Sequence, residues 1–364
     1  MTGKIRVLVV DDSAVARAVF SRQLSADPKI EVVGAAGDGI EALEKVKALR
    51  PDVVTLDVEM PRMDGLRTLR RIMNDSPTPV VMVSASTHEG ADVTIRALEL
   101  GAVDFVLKVT RAGVPVIHDV PNGLRSKVRL AARANVLASI AAAREGTTRP
   151  RIQRSAKSVS ASQDSVVVIA SSTGGPSALR SVLTSFPAAA AAPILVVQHM
   201  PEGFTCSLAE RLDELSPLNV EEARTGSKLV GGHAFIARGG RHMTVTQGGE
   251  IRLDDGAKER GFRPSANVTM ESVVRVYGAS TVGVILTGMG SDGTRGAGLI
   301  KAAGGRVIAQ DESSSVVYGM PGSVVSAGYA DKVVPLSRIS SEVIRMCRVR
   351  PQSRRRPTPS GVIA

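Results

Sequence analysis

The sequence predicts two α/β domains in one chain, each built on a parallel β-sheet. Short apolar runs rich in Val and Ile alternate with helix-like segments, which is the pattern of a parallel sheet covered by helices. Several of these runs end in small or polar residues, as strands do beside a site. At 364 residues the chain is long for one hydrophobic core.

Composition narrows the classes of partner and compartment. The net charge is +11, yet aromatic residues make up only 2% and Trp is absent, so the stacking platforms of nucleic-acid binders are scarce. No apolar run reaches the roughly 18 residues that span a bilayer, and no secretory signal is visible at the N-terminus. Cys206 and Cys347 lie far apart, without metal-binding spacing. We therefore expect a cytoplasmic protein with no nucleic-acid partner and no membrane insertion.

The N-terminal part, residues 1–143, alternates five strand-like runs with five helix-like segments, which predicts a five-stranded, doubly wound parallel sheet. The strands are predicted at Ile5–Val10, Ile30–Val33, Val53–Leu56, Val80–Val83 and Val103–Leu107. The helices are predicted at Ala14–Ala26, Gly39–Leu49, Gly65–Asn74, Gly90–Leu100 and Gly123–Ala143.

Polar side chains follow four of these strands and should meet at one edge of the sheet. They are Asp11 and Asp12, Asp57, Ser84 and Lys108. Three carboxylates at one edge repel each other unless a cation joins them, and hard oxygen ligands suit Mg²⁺. A carboxylate beside Mg²⁺ and a lysine can accept a phosphoryl group. The alternative is a set of strand-end caps, which suits any one aspartate better than it suits the whole group.

This part of the chain resembles a response-regulator receiver domain, which is flavodoxin-like. The matching segments are Asp11-Asp12, Leu56–Gly65, Ser84-Ala85 and Phe105-x-x-Lys108; Val109 stands where the family usually has Pro. The resemblance implies that a histidine kinase phosphorylates Asp57, while Asp11 and Asp12 hold Mg²⁺ with it. It also implies that Ser84 and Phe105 form a switch pair, assisted by Lys108, that senses the phosphoryl group.

Residues 144–164 predict a flexible, exposed linker, because they are rich in Ser and Arg and carry little apolar periodicity. A rigid spacer is the alternative. The second domain is predicted over residues 165–347, and residues 348–364 form a basic tail that we expect to be disordered.

The second domain again predicts an α/β sheet, with a β-hairpin turning through Gly248-Gly249. Strands are predicted at Val166–Ala170, Ile194–Gln198, Ala234–Ala237, His242–Thr246, Thr281–Leu286 and Arg306–Ala309. Helices are predicted at Ser177–Ser185, Thr205–Leu215, Ser265–Tyr277 and Thr294–Ala303.

Three residues able to form a hydrolytic triad follow predicted parallel strands of this domain. Ser172 stands in a Ser/Gly turn before a helix, where backbone N–H groups can hold an oxyanion. His199 and Asp292 follow two other strands, so the three could meet at one edge. The alternative for the Ser172 segment is a phosphate-binding or plain turn, for His199 a core histidine, and for Asp292 a helix cap. His242 is a rival candidate for the base.

These segments resemble the catalytic motifs of CheB-type chemotaxis methylesterases. The match covers Ile169–Gly175, Gln198–Pro201, Ala237–Met243, Arg263–Ser265, Leu286–Gly293 and Tyr318–Pro321. Two departures are Ala170, where the family has Gly, and the sequence Pro264-Ser265-Ala266-Asn267, where it usually has Pro-Ser-Val-Asp. We expect the second departure to alter a surface or substrate contact.

The resemblance implies hydrolysis of glutamate γ-methyl esters, and deamidation of glutamines, on chemoreceptor cytoplasmic helices. Ser172 would be the nucleophile, His199 the base and Asp292 the residue that orients it. Thr173 and Met289 are the candidate oxyanion donors. The partners implied are the receptor and a chemotaxis histidine kinase, with no cofactor for ester hydrolysis. We expect a monomer. The unphosphorylated receiver would cover the catalytic edge.

Two rival functions remain open at this point. A receiver joined to a DNA-binding output would suit the charge, but the second domain lacks a helix-turn-helix pattern. An inactive binding or phosphate-sink protein could keep the fold, although Ser172, His199 and Asp292 are all present.

Overall fold

The structure is a computed structural model that describes residues 3–85, 88–111, 114–117, 123–145, 165–188 and 190–348. Most of the predicted linker and tail therefore lies outside the described residues. At their edges, residues 144 and 145 belong to a helix, and the last helix ends at Arg348. Within the part of the chain described, no helix is both long and apolar enough to cross a bilayer.

The N-terminal domain contains the five predicted parallel strands, in the order β2-β1-β3-β4-β5. Strands β1 to β5 are Ile5–Val10, Ile30–Ala36, Val53–Asp57, Val80–Ala85 and Asp104–Arg111, and helices α1 to α4 between them are Ala14–Ser25, Gly39–Leu49, Gly65–Asp75 and His88–Glu99. The strand order reverses between β1 and β3, which is where a doubly wound sheet opens a crevice for ligands.

Side-chain caps fix where the first three helices begin. The side chains of Ser13, Asp38 and Asp64 each accept a hydrogen bond from a backbone N–H in the first turn of α1, α2 or α3. These caps orient the helices over a core of buried strand residues such as Val9 and Leu56. Local sequence and apolar burial therefore favour the same arrangement.

Two features at the end of this domain differ from the prediction. Strand β6, Val114–Ile117, extends the sheet by pairing antiparallel with β5. The predicted helix Gly123–Ala143 is wrong as a single element: it forms two helices, Leu124–Ala131 (α5) and Val136–Glu145 (α6).

The break between α5 and α6 has a tertiary cause. The Asn135 side chain accepts a hydrogen bond from the Ala138 N–H and so caps α6. The backbone N–H and side-chain amide of Asn135 donate to the carbonyl oxygens of Val316 and Ser313 in the second domain. Contacts that are remote in sequence therefore outweigh the helical propensity of this Ala-rich stretch.

The C-terminal domain is a seven-stranded, all-parallel sheet with a separate hairpin. Its sheet order is β15-β14-β13-β7-β8-β10-β9. Strands β7 to β15 are Val166–Ser171, Ile194–Gln198, Asn219–Glu222, His233–Ile236, His242–Val245, Ile251–Asp254, Thr281–Ile285, Arg306–Gln310 and Lys332–Val334; helices α7 to α12 are Gly175–Thr184, Phe204–Leu215, Ala266–Tyr277, Thr294–Ala302, Met320–Ser326 and Ile339–Arg348.

The predicted α/β class, parallel sheet and hairpin are confirmed in this domain. Strands β11 and β12 pair antiparallel, with Val245 opposite Ile251, as the hairpin prediction required. The two strands that the sequence did not predict, β9 and β15, are the short edge strands of the sheet. Helices α11 and α12 were also missed. The sheet order reverses between β7 and β13, so the ends of these two strands flank a crevice.

We expect Gly65→Ala to destabilise the N-terminal domain. A Cβ at Gly65 would lie 2.1 Å from the backbone carbonyl oxygen of Asp57, so the start of α3 would have to move. Such overpacking typically costs about 1–3 kcal/mol, which urea unfolding would measure. Gly37→Ala is the matched control, because its Cβ would meet nothing closer than 3.6 Å. Equal stabilities of the two variants would contradict this packing.

Candidate functional site

The predicted acidic cluster forms at the crevice of the N-terminal sheet. Asp11 and Asp12 follow β1 and Asp57 ends β3, and carboxylate oxygens of all three lie within 4.8 Å of one another. The Lys108 ammonium lies 2.7 Å from Asp11 Oδ2 and 2.7 Å from Asp57 Oδ2. The structure therefore brings these four predicted residues together.

The electrostatics of this cluster favour an added cation. Burial raises the pKa of Asp57 to about 6, against the opposing pull of the Lys108 charge. Burial by itself would lower the pKa of Lys108, but its ion pairs with Asp57 and Asp11 outweigh burial and raise it. One lysine thus leaves the carboxylates incompletely compensated. An all-oxygen donor set with Asp12 exposed fits Mg²⁺, which keeps several waters when bound.

The predicted switch residues, Ser84 and Phe105, are each engaged with other partners. The Ser84 hydroxyl accepts a hydrogen bond from the Thr94 hydroxyl at 2.8 Å and donates one to the Gly90 carbonyl oxygen at 3.1 Å, both in α4. The Phe105 ring stacks on Phe204 of the C-terminal domain, with ring centroids 4.8 Å apart. Phe105 therefore lies at the boundary between the two domains.

Ser172 lies directly after β7, at the crevice of the second sheet. Its backbone N–H donates to the Thr287 carbonyl oxygen at 3.0 Å, and the Gln198 amide donates to its carbonyl oxygen at 2.9 Å. The neighbouring Ser171 is fully buried and donates its hydroxyl to Gln198 Oε1 at 2.7 Å. Of the two adjacent serines, only Ser172 lines the cavity described below.

His199 and Asp292 form the pair that the sequence predicted. His199 follows β8, Asp292 lies in the loop between β13 and α10, and His199 Nε2 is 2.7 Å from Asp292 Oδ2. The same loop carries Thr287, which binds the Ser172 backbone. The ends of three parallel strands thus converge at one edge, as expected for a doubly wound sheet.

The Asp292 carboxylate is held at the N-terminus of α9. It accepts hydrogen bonds from the Ser265 hydroxyl at 2.9 Å and from the backbone N–H groups of Ala266 at 2.7 Å and Asn267 at 3.0 Å. Burial would raise the pKa of Asp292, but the hydrogen bonds and the imidazole of His199 outweigh it and lower this pKa. The positive end of the helix dipole acts in the same direction.

An ionised Asp292 determines the tautomer of His199. Because a carboxylate only accepts hydrogen bonds, His199 Nε2 must donate to it, and Nδ1 is then the basic nitrogen. His199 Nδ1 is buried and has no hydrogen-bond partner among the described residues. This nitrogen is therefore available to accept a proton.

The departure at Asn267 has a different role from the one expected, and the prediction of a surface or substrate contact is wrong. Asn267 is only 2% exposed. Its side-chain oxygen accepts hydrogen bonds from the backbone N–H groups of Gly293 and Gly296, at 3.1 and 2.9 Å. The residue therefore supports the loop that carries Asp292.

A cavity of about 640 Å³ opens beside these groups. Ser172, Thr173, His199 and Met289 line it, so the candidate oxyanion residues face the same space as the candidate nucleophile and base. Phe262 also lines it and was not singled out from the sequence. The cavity is large enough to admit an extended amino-acid side chain.

His242, the rival base, is excluded from this cavity by its position in the hairpin. It is buried, and its Nε2 lies 3.0 Å from the Ala257 carbonyl oxygen. His233 lies in β10, 3.8 Å from Glu221. His118 and the side chain of His88 fall outside the described residues.

The N-terminal domain contributes part of the cavity wall. Asp104 Oδ2 accepts a 2.7 Å hydrogen bond from the Thr173 hydroxyl, next to Ser172. The Ser177 hydroxyl donates to the Leu98 carbonyl oxygen at 2.6 Å. Arg211 in α8 pairs with Glu99 at 3.1 Å. The end of α4 and the start of β5 therefore pack directly against the candidate catalytic edge.

Comparisons with known proteins agree across both domains. A family model described as CheB methylesterase matches residues 167–343, and one described as response regulator receiver domain matches residues 7–114. Two relatives named protein-glutamate methylesterase/protein-glutamine glutaminase each match 94% of this chain. The Symbiobacterium thermophilum protein is 50% identical, and the match covers 96% of its length. The Geobacillus kaustophilus protein is 47% identical, and the match covers 98% of its length. The crystal structure of the Thermotoga maritima CheB methylesterase catalytic domain is 45% identical, with a TM-score of 0.49, covering 51% of this chain and 99% of that one.

We expect the Mg²⁺ affinity of the N-terminal cluster to rise between pH 5 and 7 and then level off. The folded protein keeps a proton on Asp57 up to about pH 6, whereas an unfolded chain loses it near 3.8, so metal and proton compete in this window. The same proton makes the metal-free fold less stable as the pH rises from about 4 to 6.

Calorimetric Mg²⁺ titrations at several pH values would measure this dependence. In the Asp57→Asn control, binding should be weaker and the dependence centred near pH 6 should disappear. An affinity in the parent chain that stays constant from pH 5 to 7 would contradict the raised pKa of Asp57.

Proposed function

The chain belongs to the CheB family of protein-glutamate methylesterases/protein-glutamine glutaminases with a receiver domain, and on that premise we propose that it demethylates and deamidates chemoreceptors by a Ser-His-Asp mechanism. Its substrates would be glutamate γ-methyl esters and glutamines on the cytoplasmic helices of the receptor. The observation that carries this proposal is the His199–Asp292 pair, 2.7 Å apart, whose imidazole faces the cavity that Ser172 also lines.

In the acylation step, the Ser172 oxygen attacks the γ-carbonyl carbon of the substrate while His199 Nδ1 takes the hydroxyl proton. Asp292 stabilises the imidazolium that forms. The backbone N–H groups of Thr173 and Met289 are the proposed donors to the developing oxyanion. His199 then returns the proton to the leaving group, which departs as methanol from an ester or as ammonia from an amide.

In the second step, water hydrolyses the acyl-enzyme. His199 takes a proton from the water as its oxygen attacks the carbonyl carbon, and it returns that proton to the Ser172 oxygen as the ester bond breaks. The products are a receptor glutamate and regenerated enzyme. The same residues serve both reactions, because the methyl ester and the primary amide differ only in the group that leaves.

We further propose that phosphorylation of Asp57 regulates this chemistry. Asp11, Asp12 and Asp57 would hold Mg²⁺, which when bound neutralises charge on the incoming phosphoryl group. Lys108, 2.7 Å from Asp57, would contact the phosphoryl oxygens. The phosphodonor would be a chemotaxis histidine kinase.

The proposed signal passes from Asp57 to the catalytic edge through the switch residues. Reorientation of Ser84 would release its hydrogen bonds to α4, and movement of Phe105 would weaken its stacking on Phe204. Asp104, next to Phe105, would then release Thr173 beside the nucleophile. The unphosphorylated receiver inhibits by occupying the side of the cavity through which a receptor helix would enter.

The DNA-binding alternative is not supported, because the second domain is a parallel α/β sheet and matches the methylesterase model over residues 167–343. The inactive-protein alternative is left to experiment. Methanol release from a methylated chemoreceptor, with a DNA gel-shift as the control, distinguishes the three functions.

We expect Ser172→Ala to abolish methanol release, by about a million-fold if the loss follows the precedent of serine proteases. The serine hydroxyl is the only group in the proposed mechanism that forms the covalent bond. Release of methanol would be followed with the full chain, a methylated receptor and a small phosphodonor.

Ser171→Ala is the matched control for this variant. The Ser171 hydroxyl is buried against Gln198, so its loss should lower stability by about 1–3 kcal/mol while folded molecules keep most of their turnover. Near-normal activity of Ser172→Ala together with an inactive, folded Ser171→Ala would show that Ser171, and not Ser172, is the nucleophile.

We expect Asp104→Ala to raise methylesterase activity in the absence of a phosphodonor. Loss of a hydrogen bond worth about 1–2 kcal/mol between the domains would increase the open fraction roughly 5- to 30-fold. Deletion of residues 1–150 should raise basal activity further. Initial rates of methanol release measure both effects.

Asp75→Ala is the control, because Asp75 is an aspartate at the end of α3 whose ion-pair partner, Arg71, lies in the same helix. It should leave basal activity unchanged. Lower or equal basal activity from a folded 151–364 fragment would count against inhibition by coverage.

A further inference from the structure

One face of the His199 imidazole is covered by an aromatic ring that the mechanism above does not use. The rings of His199 and Phe262 are stacked, with centroids 4.0 Å apart and planes inclined by 11°. Asp292 contacts the edge of the same imidazole at Nε2. The imidazole is therefore restrained in two perpendicular directions, by a carboxylate at its edge and by a ring against its face.

The loop that carries Phe262 is fastened by its own hydrogen bonds. Glu259 and Phe262 pair backbone to backbone, with N···O distances of 3.0 and 2.9 Å. The Arg263 guanidinium donates to the carbonyl oxygen of Asp255 at 2.7 Å. The His242 Nε2 atom lies 3.0 Å from the carbonyl oxygen of Ala257. His242, the rival candidate for the base, therefore helps to hold this loop in place.

Side chains connect this loop to the elements that hold Asp292. Glu259 accepts a hydrogen bond from the Asn267 amide at 3.1 Å and forms an ion pair with Arg295 at 2.8 Å. Asn267 lies in the first turn of α9, whose N-terminus binds the Asp292 carboxylate, and Arg295 lies in α10, just after Asp292. The residues that contact the face and the edge of the imidazole, Phe262 and Asp292, are therefore held by connected elements of the fold.

We propose, on the basis of the function proposed above, that Phe262 is a positioning residue for the catalytic base. A hydrogen bond at Nε2 leaves the imidazole free to rotate about the line to Asp292, and the stacked ring removes that freedom. His199 Nδ1 is then kept in one orientation, in a residue that lines the same cavity as Ser172. The aromatic face also stabilises the imidazolium that forms when His199 takes the proton.

The charged groups around this imidazole come from four parts of the fold. Asp292 contacts the imidazole from the loop before α10. Lys258 and Arg263 line the cavity from the loop that carries Phe262. Asp104 and Lys127 line the cavity from β5 and α5 of the N-terminal domain. Substitutions at Phe262 leave all five charges in place. A change in the pH dependence of such a variant therefore reports the loss of the ring.

The test compares Phe262→Leu, Phe262→Ala and Phe262→Tyr in the full chain with a small phosphodonor present. Two rates are measured against pH: methanol release from a methylated receptor, and phosphonylation of Ser172 by a small fluorophosphonate, which needs the activated serine but no receptor binding. Phe262→Ala should slow phosphonylation and kcat by on the order of 10- to 100-fold, and Phe262→Tyr should restore both to near the parent rates.

Phe262→Leu separates the aromatic contribution from simple burial. Leucine keeps an apolar side chain over the imidazole but lacks the ring, so the imidazolium loses its aromatic partner. The acid limb of the pH–rate profile should then move to lower pH by roughly half a unit. Phe186→Leu is the matched control, because Phe186 is buried beyond the end of α7. It should leave both rates per folded molecule and the acid limb unchanged.

Parent-like phosphonylation rates and an unmoved acid limb in Phe262→Leu and Phe262→Ala would overturn the positioning role, while an inactive Ser172→Ala would leave the proposed function standing. Slower rates that Phe262→Tyr fails to restore, with an unmoved acid limb, would reduce Phe262 to a structural residue and also overturn it. Full activity in Ser172→Ala would overturn the proposed function and the role of Phe262 together.

Discussion

The hydrogen bond between Asp292 and His199 is the interaction on which the candidate catalytic site depends. A buried carboxylate is costly unless it is paired and hydrogen-bonded, and here the start of α9 supplies the Ser265 hydroxyl and two backbone N–H groups. These donors keep Asp292 ionised, the ionised carboxylate fixes the proton on His199 Nε2, and Nδ1 is left as the candidate base. Ser172, His199 and Asp292 follow β7, β8 and β13, and they lie at one edge of the sheet because β7 is the neighbour of both other strands.

The same edge of the second sheet is where the two domains meet. Strand β5 places Asp104 against Thr173 and Phe105 against Phe204, while the acidic cluster lies at the other strand ends of the N-terminal sheet. A small movement of β5 and α4 would therefore change contacts at the candidate catalytic edge directly. Buried apolar residues of both domains form one continuous cluster, so such movement would exchange packed contacts between the domains.

The sequence was most informative where structure is set by local pattern. Apolar runs that end in polar residues predicted the five parallel strands of the first domain and the residues at the strand ends, and the Gly248-Gly249 turn predicted the hairpin of the second domain. The sequence did not predict features that depend on contacts between residues far apart in the chain. Asn135 splits a predicted helix because it binds Val316 and Ser313, and β15 is a short, largely exposed edge strand. Phe262 carried no local signal, since its meaning comes from His199 on a different loop.

The protonation state of His199 decides whether its Nδ1 can act as the proposed base. Full-length protein labelled with ¹⁵N-histidine would be studied by NMR near neutral pH, with Asp292→Asn used to assign the His199 signals. We expect a proton on Nε2, shifted strongly downfield by the ionised carboxylate and lost from that position in the variant, and an unprotonated Nδ1. A resting His199 with its proton on Nδ1 and none on Nε2 would contradict the proposed base and the mechanism built on it.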